Sequence, residues 1–175
     1  MPEQARRLNL GCGRDIQEGY VNLDCVPLPG VSVVHDLNQF PYPFQDSSFD
    51  EILAQDILEH LHDTIRVMEE LWRILVPGGI LRIRVPDARS AYFLHDPTHV
   101  SRFTERTFDY FTQEAPSRFL SKFHYYTKAT FEILERRTEC ELLSVFGSVK
   151  LFRFFFRRKV YTDYGNIHCV LRKCG

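Results

Sequence analysis

The segment Asn9-Leu-Gly-Cys-Gly13 combines residue types that let a backbone approach a ligand closely. Gly11 and Gly13 lack a Cβ, so the backbone after the strand can approach a ligand without a steric clash. A helix that begins after such a turn offers free N–H groups and a positive dipole end to an anion. A dinucleotide fingerprint requires a third glycine at the position of Ile16, so nicotinamide and flavin are disfavoured. In isolation, the loop is as typical of a structural turn as of a site.

Two carboxylates follow the next two predicted strands of the chain. Asp24 lies at the end of the strand predicted for residues 21–25, where a carboxylate can accept both hydroxyls of a ribose. The alternative for this residue is a turn ahead of a proline. Asp36 and Leu37 follow the strand predicted for residues 31–36, where an acidic side chain and a backbone N–H suit an adenine.

Five strands and one helix are predicted to position these residues. Strands are expected at residues 7–10, 21–25, 31–36, 49–54 and 80–85, and apolar residues at helical spacing predict a helix over 62–75, ended by residues 77–79. Alternating strands and helices indicate a mainly parallel, doubly wound sheet, and ligands of such sheets bind at the carboxyl ends of the strands. We therefore expect the polar residues after the strands to lie together: Gly11 to Arg14, Asp24, Asp36, Gln55, Asp56 and Asp87.

The second half of the chain has a different pattern within the same single domain, 1–175. Residues 88–126 are rich in aromatics and are predicted to form a cap on the substrate side of the pocket. Helices are predicted over 104–114 and 127–139, each with a threonine as its N-cap. Strands over 142–156 and 166–172, joined by a turn at 163–165, predict an antiparallel hairpin.

Six motifs in order resemble class I S-adenosylmethionine-dependent methyltransferases, nearest to the small methyltransferase type 11 proteins. The resemblance extends over about residues 6–87, half of the chain, and residues 96–108 are similar to a further segment of this group. It implies a mainly parallel, seven-stranded Rossmann-like sheet with an antiparallel C-terminal hairpin, to which the spacing of this chain adds a truncated first helix. The motifs are residues 8–13, 21–24, 35–37 with 41–44, 48–52, 57–60 and 75–87.

The resemblance also implies S-adenosylmethionine as cofactor and assigns its contacts. The glycine turn passes under the donor, Asp24 holds the ribose, Asp36 with Leu37 holds the adenine, and Gln55 lies near the methionine end. The cofactor-binding residues are thus Asn9, Gly11, Cys12, Gly13, Arg14, Asp24, Asp36, Leu37 and Gln55.

This chain departs from the family pattern at two of these positions. Asn9 stands where the family often has Asp or Glu, so its indirect contact to the amino group of the donor carries less charge. Only seven residues, 14–20, separate the glycine turn from the next strand, which truncates the first helix. We hypothesise that Arg14 is recruited to the methionine carboxylate of the donor.

Methyl transfer from a sulfonium requires alignment, exclusion of water and, for some acceptors, removal of a proton. The candidate catalytic residues are His60, His99 and Asp56, with His124 and Tyr92 behind them. A histidine suits a base because its pKa lies near neutrality, although each of these histidines could equally have a structural role.

A metal site is a weaker hypothesis for the same region. Asp56, Glu59 and His60 resemble the metal motif of some O-methyltransferases and would share one helical face, with His99 or His124 completing the site. Leu-Glu-His is also common in metal-free relatives, so no residue is assigned to a metal.

Composition limits the partners and the location of the protein. A net charge of −1 provides no global field for nucleic acid or an anionic membrane. Residues 150–159 mix bases with aromatics, and we read them as an edge strand with a charged rim. Five cysteines without CxxC spacing and the absence of an apolar leader or span predict a cytoplasmic protein without disulfides or structural zinc.

The leading functional hypothesis is methyl transfer to a small molecule, such as a sugar or another hydroxylated metabolite, by a monomer or homodimer. The alternatives are a protein or RNA acceptor, an inactive donor-binding regulatory subunit, and a nicotinamide-dependent enzyme. The position of Ile16 argues against the last of these.

Overall fold

A seven-stranded mixed sheet forms the centre of the protein in a computed structural model, which describes residues 6–112, 124–142 and 162–175. The strands are β1 (Arg7–Leu10), β2 (Val21–Asp24), β3 (Val33–Val34), β4 (Phe49–Gln55), β5 (Leu75–Pro86), β6 (Phe131–Leu142) and β7 (Thr162–Lys173). Their order is β3-β2-β1-β4-β5-β7-β6. Strands β1 to β5 run parallel to one another, while β7 is antiparallel to both β5 and β6. The predicted sheet with its antiparallel pair at the end is confirmed.

Helix α1 (Thr64–Ile74) is the longest of the helices among the described residues. Asp63 is its N-cap, because its carboxylate accepts the Arg66 N–H at 3.0 Å. The apolar stripe of α1 packs on the sheet, and this confirms the predicted helix within one or two residues. Pro77 to Gly79 lie inside β5, where the register to β4 shifts, and not at the end of the helix. The other helices are α2 (Ala91–His95) and 3₁₀-helices at Leu58–His60, Thr107–Phe111 and His124–Tyr126.

The link between β1 and β2 consists entirely of turns and irregular backbone. Residues 11–20, called here the glycine loop, contain no helix, so the truncation of the first helix is complete. Strand β3 is also shorter than the predicted residues 31–36. Loops therefore connect β1, β2 and β3, and side-chain hydrogen bonds stabilise this side of the sheet.

The predicted helix over residues 127–139 is wrong, because that segment enters strand β6. Thr127 accepts the Ala129 N–H at 3.1 Å, as a helix cap would, but the chain then extends along β7. Phe131 pairs with Lys173, and this available partner edge outweighs local helix propensity. The predicted turn at 163–165 is also wrong, since those residues lie inside β7, which does contain the predicted strand 166–172. Of the predicted strand 142–156 and the basic stretch 150–159, all but Leu142 lies outside the described residues.

The described part of segment 88–126 is anchored in the main hydrophobic core. Phe103, Phe108 and Phe111 are buried there beside the residues of β4 and β5. The predicted helix over 104–114 is reduced to the 3₁₀-helix Thr107–Phe111, with residues 113 and 114 outside the described part. Within the described ranges, we find no helix that is long and apolar enough to cross a membrane.

Candidate functional site

The glycine loop is held in place by two asparagines that lie side by side on β1 and β2. Asn9 Nδ2 donates to Asp15 O at 2.7 Å and to Asn22 Oδ1 at 2.9 Å. Asn22 Oδ1 also accepts the Gln17 N–H at 2.9 Å, and Asn22 Nδ2 donates to Gln17 O at 3.0 Å and Tyr20 O at 3.2 Å. This network gives the loop the backbone partners that a helix would supply internally.

Gly11 and Gly13 both have positive φ, at 63° and 50°. A Cβ on Gly11 would lie 2.4 Å from Ile57 Cγ1, so this position requires glycine for space as well as for conformation. The Gly13 N–H donates to Asp24 Oδ2 at 2.8 Å, and Val26 N–H donates to Asp24 Oδ1 at 3.0 Å. Each carboxylate oxygen keeps a further lone pair, so Asp24 braces the loop and can still accept hydroxyls.

The side chains of Cys12 and Arg14 leave the loop in different directions. Cys12 is buried, and its N–H donates to Leu23 O at 2.9 Å, which ties the loop to β2. Burial, followed by the charge of Asp24, raises the pKa of the Cys12 thiol. Arg14 is exposed and makes no side-chain hydrogen bond or ion pair with the described residues, so its guanidinium is available to an anion.

Asp36 and Leu37 follow β3 in a tight turn. Asp36 Oδ1 accepts the Asn38 N–H at 2.9 Å, while the buried Leu37 offers its carbonyl to the Tyr42 hydroxyl at 3.1 Å. Burial, then the charge of Glu70, raises the pKa of Tyr42, so its hydroxyl stays a donor. The buried Tyr42 therefore holds the turn at Asp36 through its hydrogen bond to Leu37.

The segment that carries Tyr42 is clamped to helix α1 by one ion pair. Glu70 Oε2 accepts the Tyr42 N–H at 2.7 Å and Arg73 Nη2 at 2.7 Å. Arg73 Nη1 also donates to Phe44 O and to Asp46 Oδ1, both at 2.8 Å. Burial opposes ionisation of Glu70, but the hydrogen bonds from Arg73 and Tyr42 outweigh it and lower the pKa of this carboxyl.

The end of β4 brings Gln55 and Asp56 to the same edge of the sheet as the glycine loop. Asp56 has a positive φ of 52°, and its N–H donates to Arg84 O at 2.8 Å. Its two carboxylate oxygens accept Arg84 Nε at 3.0 Å each, and Arg84 Nη2 contacts Oδ2 as well. Arg84 therefore engages both oxygens of Asp56, the carboxylate that the sequence predicted as a base.

Asp87, also predicted at this edge, is buried and engaged by a neighbour. Arg89 Nη2 lies 2.7 Å from Asp87 Oδ2, and the guanidinium stacks 3.7 Å above the centroid of Tyr164. The structure therefore gives Asp87 a local structural partner and leaves it no free charge.

Three side chains meet just after β4 in what we call the acid–histidine cluster: Glu59, His60 and His99. Their nearest ligand-type atoms all lie within 4.8 Å of one another, and the two imidazole centroids are 4.8 Å apart. Glu59 is only 1% exposed, its Oε1 lies 3.9 Å from His99 Nε2, and its Oε2 has no hydrogen-bond partner among the described residues. Burial raises the pKa of Glu59 to about 7.

Both imidazoles of the cluster are oriented by bonds at Nδ1. His99 Nδ1 lies 3.0 Å from Phe93 O, which can only accept, so this nitrogen carries the proton. Thr98 Oγ1 donates to Asp96 Oδ1 at 2.6 Å and therefore accepts from His60 Nδ1 at 2.9 Å. In the neutral imidazoles, both Nε2 atoms are consequently bare acceptors.

The segment that carries His99 is docked on the connection between β4 and α1. The Val100 and Ser101 N–H groups donate to Glu59 O at 2.8 and 2.9 Å. The sequence predicted His60 and His99 at the site, but the buried role of Glu59 was missed. The metal hypothesis named Glu59, but nothing local in the sequence indicated its burial. Of the remaining candidates, Tyr92 is exposed and the side chain of His124 lies outside the described part.

An open depression of about 510 Å³ lies at the opposite, amino-terminal edge of the sheet. Arg7, Tyr20 and Phe49 are among its lining residues, and none of the predicted site residues borders it. Because ligands of parallel sheets bind at the carboxyl ends of the strands, we place the site at the glycine loop and not in this depression.

Comparison with known proteins finds a family and solved structures that are similar to this chain. Residues 11–83 match the family described as a methyltransferase domain. A S-adenosylmethionine-dependent methyltransferase from Archaeoglobus fulgidus superposes with a TM-score of 0.60 at 18% identity, covering 97% of this chain and 86% of that chain. A second from Methanosarcina mazei gives 0.58 at 18% identity, with 99% and 94% covered.

A further similar structure comes from an assembly of two proteins. It belongs to a complex between the Haloferax volcanii Trm112 methyltransferase activator and a methyltransferase, with a TM-score of 0.59, 19% identity, and coverage of 100% of this chain and 86% of that chain. At such identities, the solved structures establish the fold. Residues 11–83 thus match a methyltransferase domain, and the chain has the fold of S-adenosylmethionine-dependent methyltransferases.

Proposed function

We propose that this chain is an S-adenosylmethionine-dependent methyltransferase that transfers the methyl group to a small hydroxylated molecule by direct in-line displacement. The acceptor oxygen forms a bond to the methyl carbon as the bond from that carbon to sulfur breaks. S-adenosylhomocysteine leaves, and the hydroxyl proton passes to an Nε2 atom of the acid–histidine cluster. The single observation that carries this proposal is the position of that cluster. It follows β4 directly, beside the glycine loop, and presents bare acceptor atoms.

The donor contacts are part of the same proposal. Gly11, Cys12 and Gly13 pass under the donor, and Asp24 accepts the ribose hydroxyls with the lone pairs that the backbone amides leave free. Arg14, exposed beside the loop, pairs with the methionine carboxylate.

The remaining contacts concern the two ends of the donor. Asp36 and the backbone of Leu37 receive the adenine, and Gln55 lies near the methionine end. Asn9 uses both donor hydrogens of its amide on Asp15 O and Asn22 Oδ1, so only its carbonyl oxygen is left for a water-mediated contact to the amino group of the donor. Its main contribution is therefore to the shape of the loop.

His60 and His99 are the proposed bases, and Asp56 is the weaker candidate. The bidentate contact with Arg84 stabilises the ionised carboxylate of Asp56 and lowers its tendency to take a proton. His99 has only a 9% exposed side chain and lies against Glu59, so His60 is the first candidate in this proposal.

The test is a screen of cellular extracts with donor labelled in the methyl group. We expect label in the small-molecule fraction, and a loss of about 10²- to 10⁴-fold in kcat for His60→Ala, the range typical of a general base. His95→Ala, which alters an exposed histidine outside the cluster, serves as the matched control. Label in protein or RNA contradicts the small-molecule acceptor. Donor binding without any labelled product favours a regulatory subunit.

A further inference from the structure

The three facing atoms of the acid–histidine cluster are all hydrogen-bond acceptors. His60 and His99 keep their protons on Nδ1, because Thr98 and Phe93 accept there. The ligand-type atoms of Glu59, His60 and His99 lie within 4.8 Å of one another, and His99 Nε2 lies 3.9 Å from Glu59 Oε1. Lone pairs at this separation repel one another, so a proton or a cation between them stabilises the arrangement.

Glu59 gives independent evidence for such a charge. Its side chain is almost fully buried, yet Oε2 has no hydrogen-bond partner within the described residues. No lysine or arginine among the described residues forms an ion pair with it, and the ionisable group at ion-pair distance is His99, whose Nε2 lies 3.9 Å from Oε1. A buried carboxylate without a partner is costly, and a bound cation is a standard way to compensate it.

We propose that Glu59, His60 and His99 bind one divalent transition-metal ion, with zinc as the expected occupant. Two imidazole nitrogens and one carboxylate oxygen suit zinc, iron, cobalt or nickel better than magnesium or calcium. Three protein ligands leave a fourth position open, as in catalytic zinc sites. The ligand atoms lie within 4.8 Å of one another, so small side-chain rotations bring them to a common ion.

The outer contacts of the cluster are those that metal-binding histidines use. Such histidines donate the second ring N–H to a carbonyl, a carboxylate or a water, which fixes both tautomer and ring direction. His99 meets this condition through Phe93 O, and His60 meets it through the Thr98 hydroxyl, which Asp96 in turn accepts. Asp56 is not among the proposed metal ligands, because Arg84 holds its carboxylate.

The inference goes beyond the proposed function. An ion bound at Nε2 of His60 and His99 occupies the lone pairs that the proposed base uses, so a metal-loaded cluster does not take the hydroxyl proton there. Metal binding is measured without donor or acceptor, so the two proposals are tested separately. The experiment titrates zinc and, separately, cobalt into chelator-treated protein produced without a metal-affinity tag. Calorimetry gives the stoichiometry, and cobalt adds a visible absorption spectrum that reports its ligands. We expect one equivalent to bind, with a spectrum of nitrogen and oxygen ligands and no thiolate charge-transfer absorption.

Variants of each ligand decide whether this cluster is the site. Glu59→Gln keeps the shape of the side chain, and His60→Ala and His99→Ala each remove one nitrogen. Each is expected to weaken binding by more than about tenfold, the lower range found when even a supporting residue is removed. His95→Ala and Cys25→Ser change an exposed histidine and an exposed thiol outside the cluster and are expected to bind normally.

Three outcomes overturn the inference. They are an absence of stoichiometric binding, an affinity unchanged in Glu59→Gln and His60→Ala, and a cobalt spectrum with thiolate bands. Circular dichroism checks that each variant folds. If the variant of the buried Glu59 does not fold, the His60 variant still tests the inference. A failure here leaves S-adenosylhomocysteine binding and the methylation screen unaffected.

Discussion

The glycine loop and the acid–histidine cluster lie at the same edge of the sheet, yet they are built in opposite ways. In the loop, every hydrogen-bonding atom of the Asn22 side chain is engaged, and both Asp24 oxygens hold backbone amides. In the cluster, Glu59 Oε2 has no hydrogen-bond partner among the described residues, and His99 Nε2 lies 3.9 Å from Glu59 Oε1. The loop is thus complete before a ligand binds, whereas the cluster needs a proton or a cation.

The largest effect is expected from Gly11→Ala. The new Cβ would lie 2.4 Å from Ile57 Cγ1, on a backbone with φ of 63°. Strain at positive φ costs about 1–3 kcal/mol, and overpacking costs a similar amount. Urea unfolding should show the loss in stability, and calorimetry should show donor affinity weakened by at least about tenfold.

Gly19→Ala is the matched control for that variant. Gly19 has a φ of 78° in the same loop, but nothing lies within 4 Å of its would-be Cβ. It therefore tests the conformational cost alone. Equal effects of the two substitutions would show that Ile57 does not constrain the loop.

Asn22→Ala tests whether side chains replace the missing helix. The substitution removes the bonds to Asn9, Gln17 and Tyr20 and leaves buried groups unpaired. We expect a loss of about 2–3 kcal/mol in the free energy of unfolding, together with weaker donor binding. Gln17→Ala, which removes only an exposed contact to Asp15, should cost far less. A stable Asn22 variant with normal donor affinity contradicts the idea of a preformed loop.

The ion pair between Glu70 and Arg73 predicts a pH-dependent contribution to the free energy of unfolding. The pKa of Glu70 is lowered from 4.5 in the folded protein, so the stabilisation is present above that pH and is lost as the pH falls below it. Glu70→Gln should cost about 1–2 kcal/mol at pH 7 and progressively less in acid.

Denaturant unfolding of wild type and variant between pH 3 and pH 7 measures that difference (about 1–2 kcal/mol at its maximum). Glu132→Gln is the control, because its pair with Arg172 is exposed and should contribute little. A cost of Glu70→Gln that stays constant with pH means that the clamp is not ionic.

Arg14→Ala should have the smallest effect, a severalfold loss of donor affinity without a change in stability. The residue is exposed and free of partners among the described residues, so its contribution is to the ligand alone. Calorimetric titration with S-adenosylhomocysteine measures it, with the exposed Arg102→Ala as the charge-matched control. An unchanged affinity removes Arg14 from the site.

The first half of the fold could be predicted because its signals are local. Apolar runs ending in Gly11, Asp24 and Gln55 mark three strands of one parallel sheet, and the helix pattern of α1 is regular. The parallel rule then places the residues that follow these strands at one edge. The order of the motifs along the chain, more than any single motif, predicts where the methyl donor binds.

The second half and the cluster depend on contacts that are distant in sequence. Residues 127–139 have helical propensity, but the edge of β7 about 35 residues later imposes a strand. Likewise, His99 reaches Glu59 across 40 positions, and nothing local to either residue indicates that the carboxyl is buried. The pairing of Asn9 with Asn22 was hidden for the same reason, since each residue alone is typical of a strand end.

Calorimetric titration of the wild-type protein with S-adenosylhomocysteine tests the central claim most directly. The preformed loop, with Asp24 and Asp36 following successive strands, predicts a single site per chain and no comparable binding of nicotinamide adenine dinucleotide. Absence of S-adenosylhomocysteine binding, or a preference for the dinucleotide, would contradict the assignment of the glycine loop as the donor site.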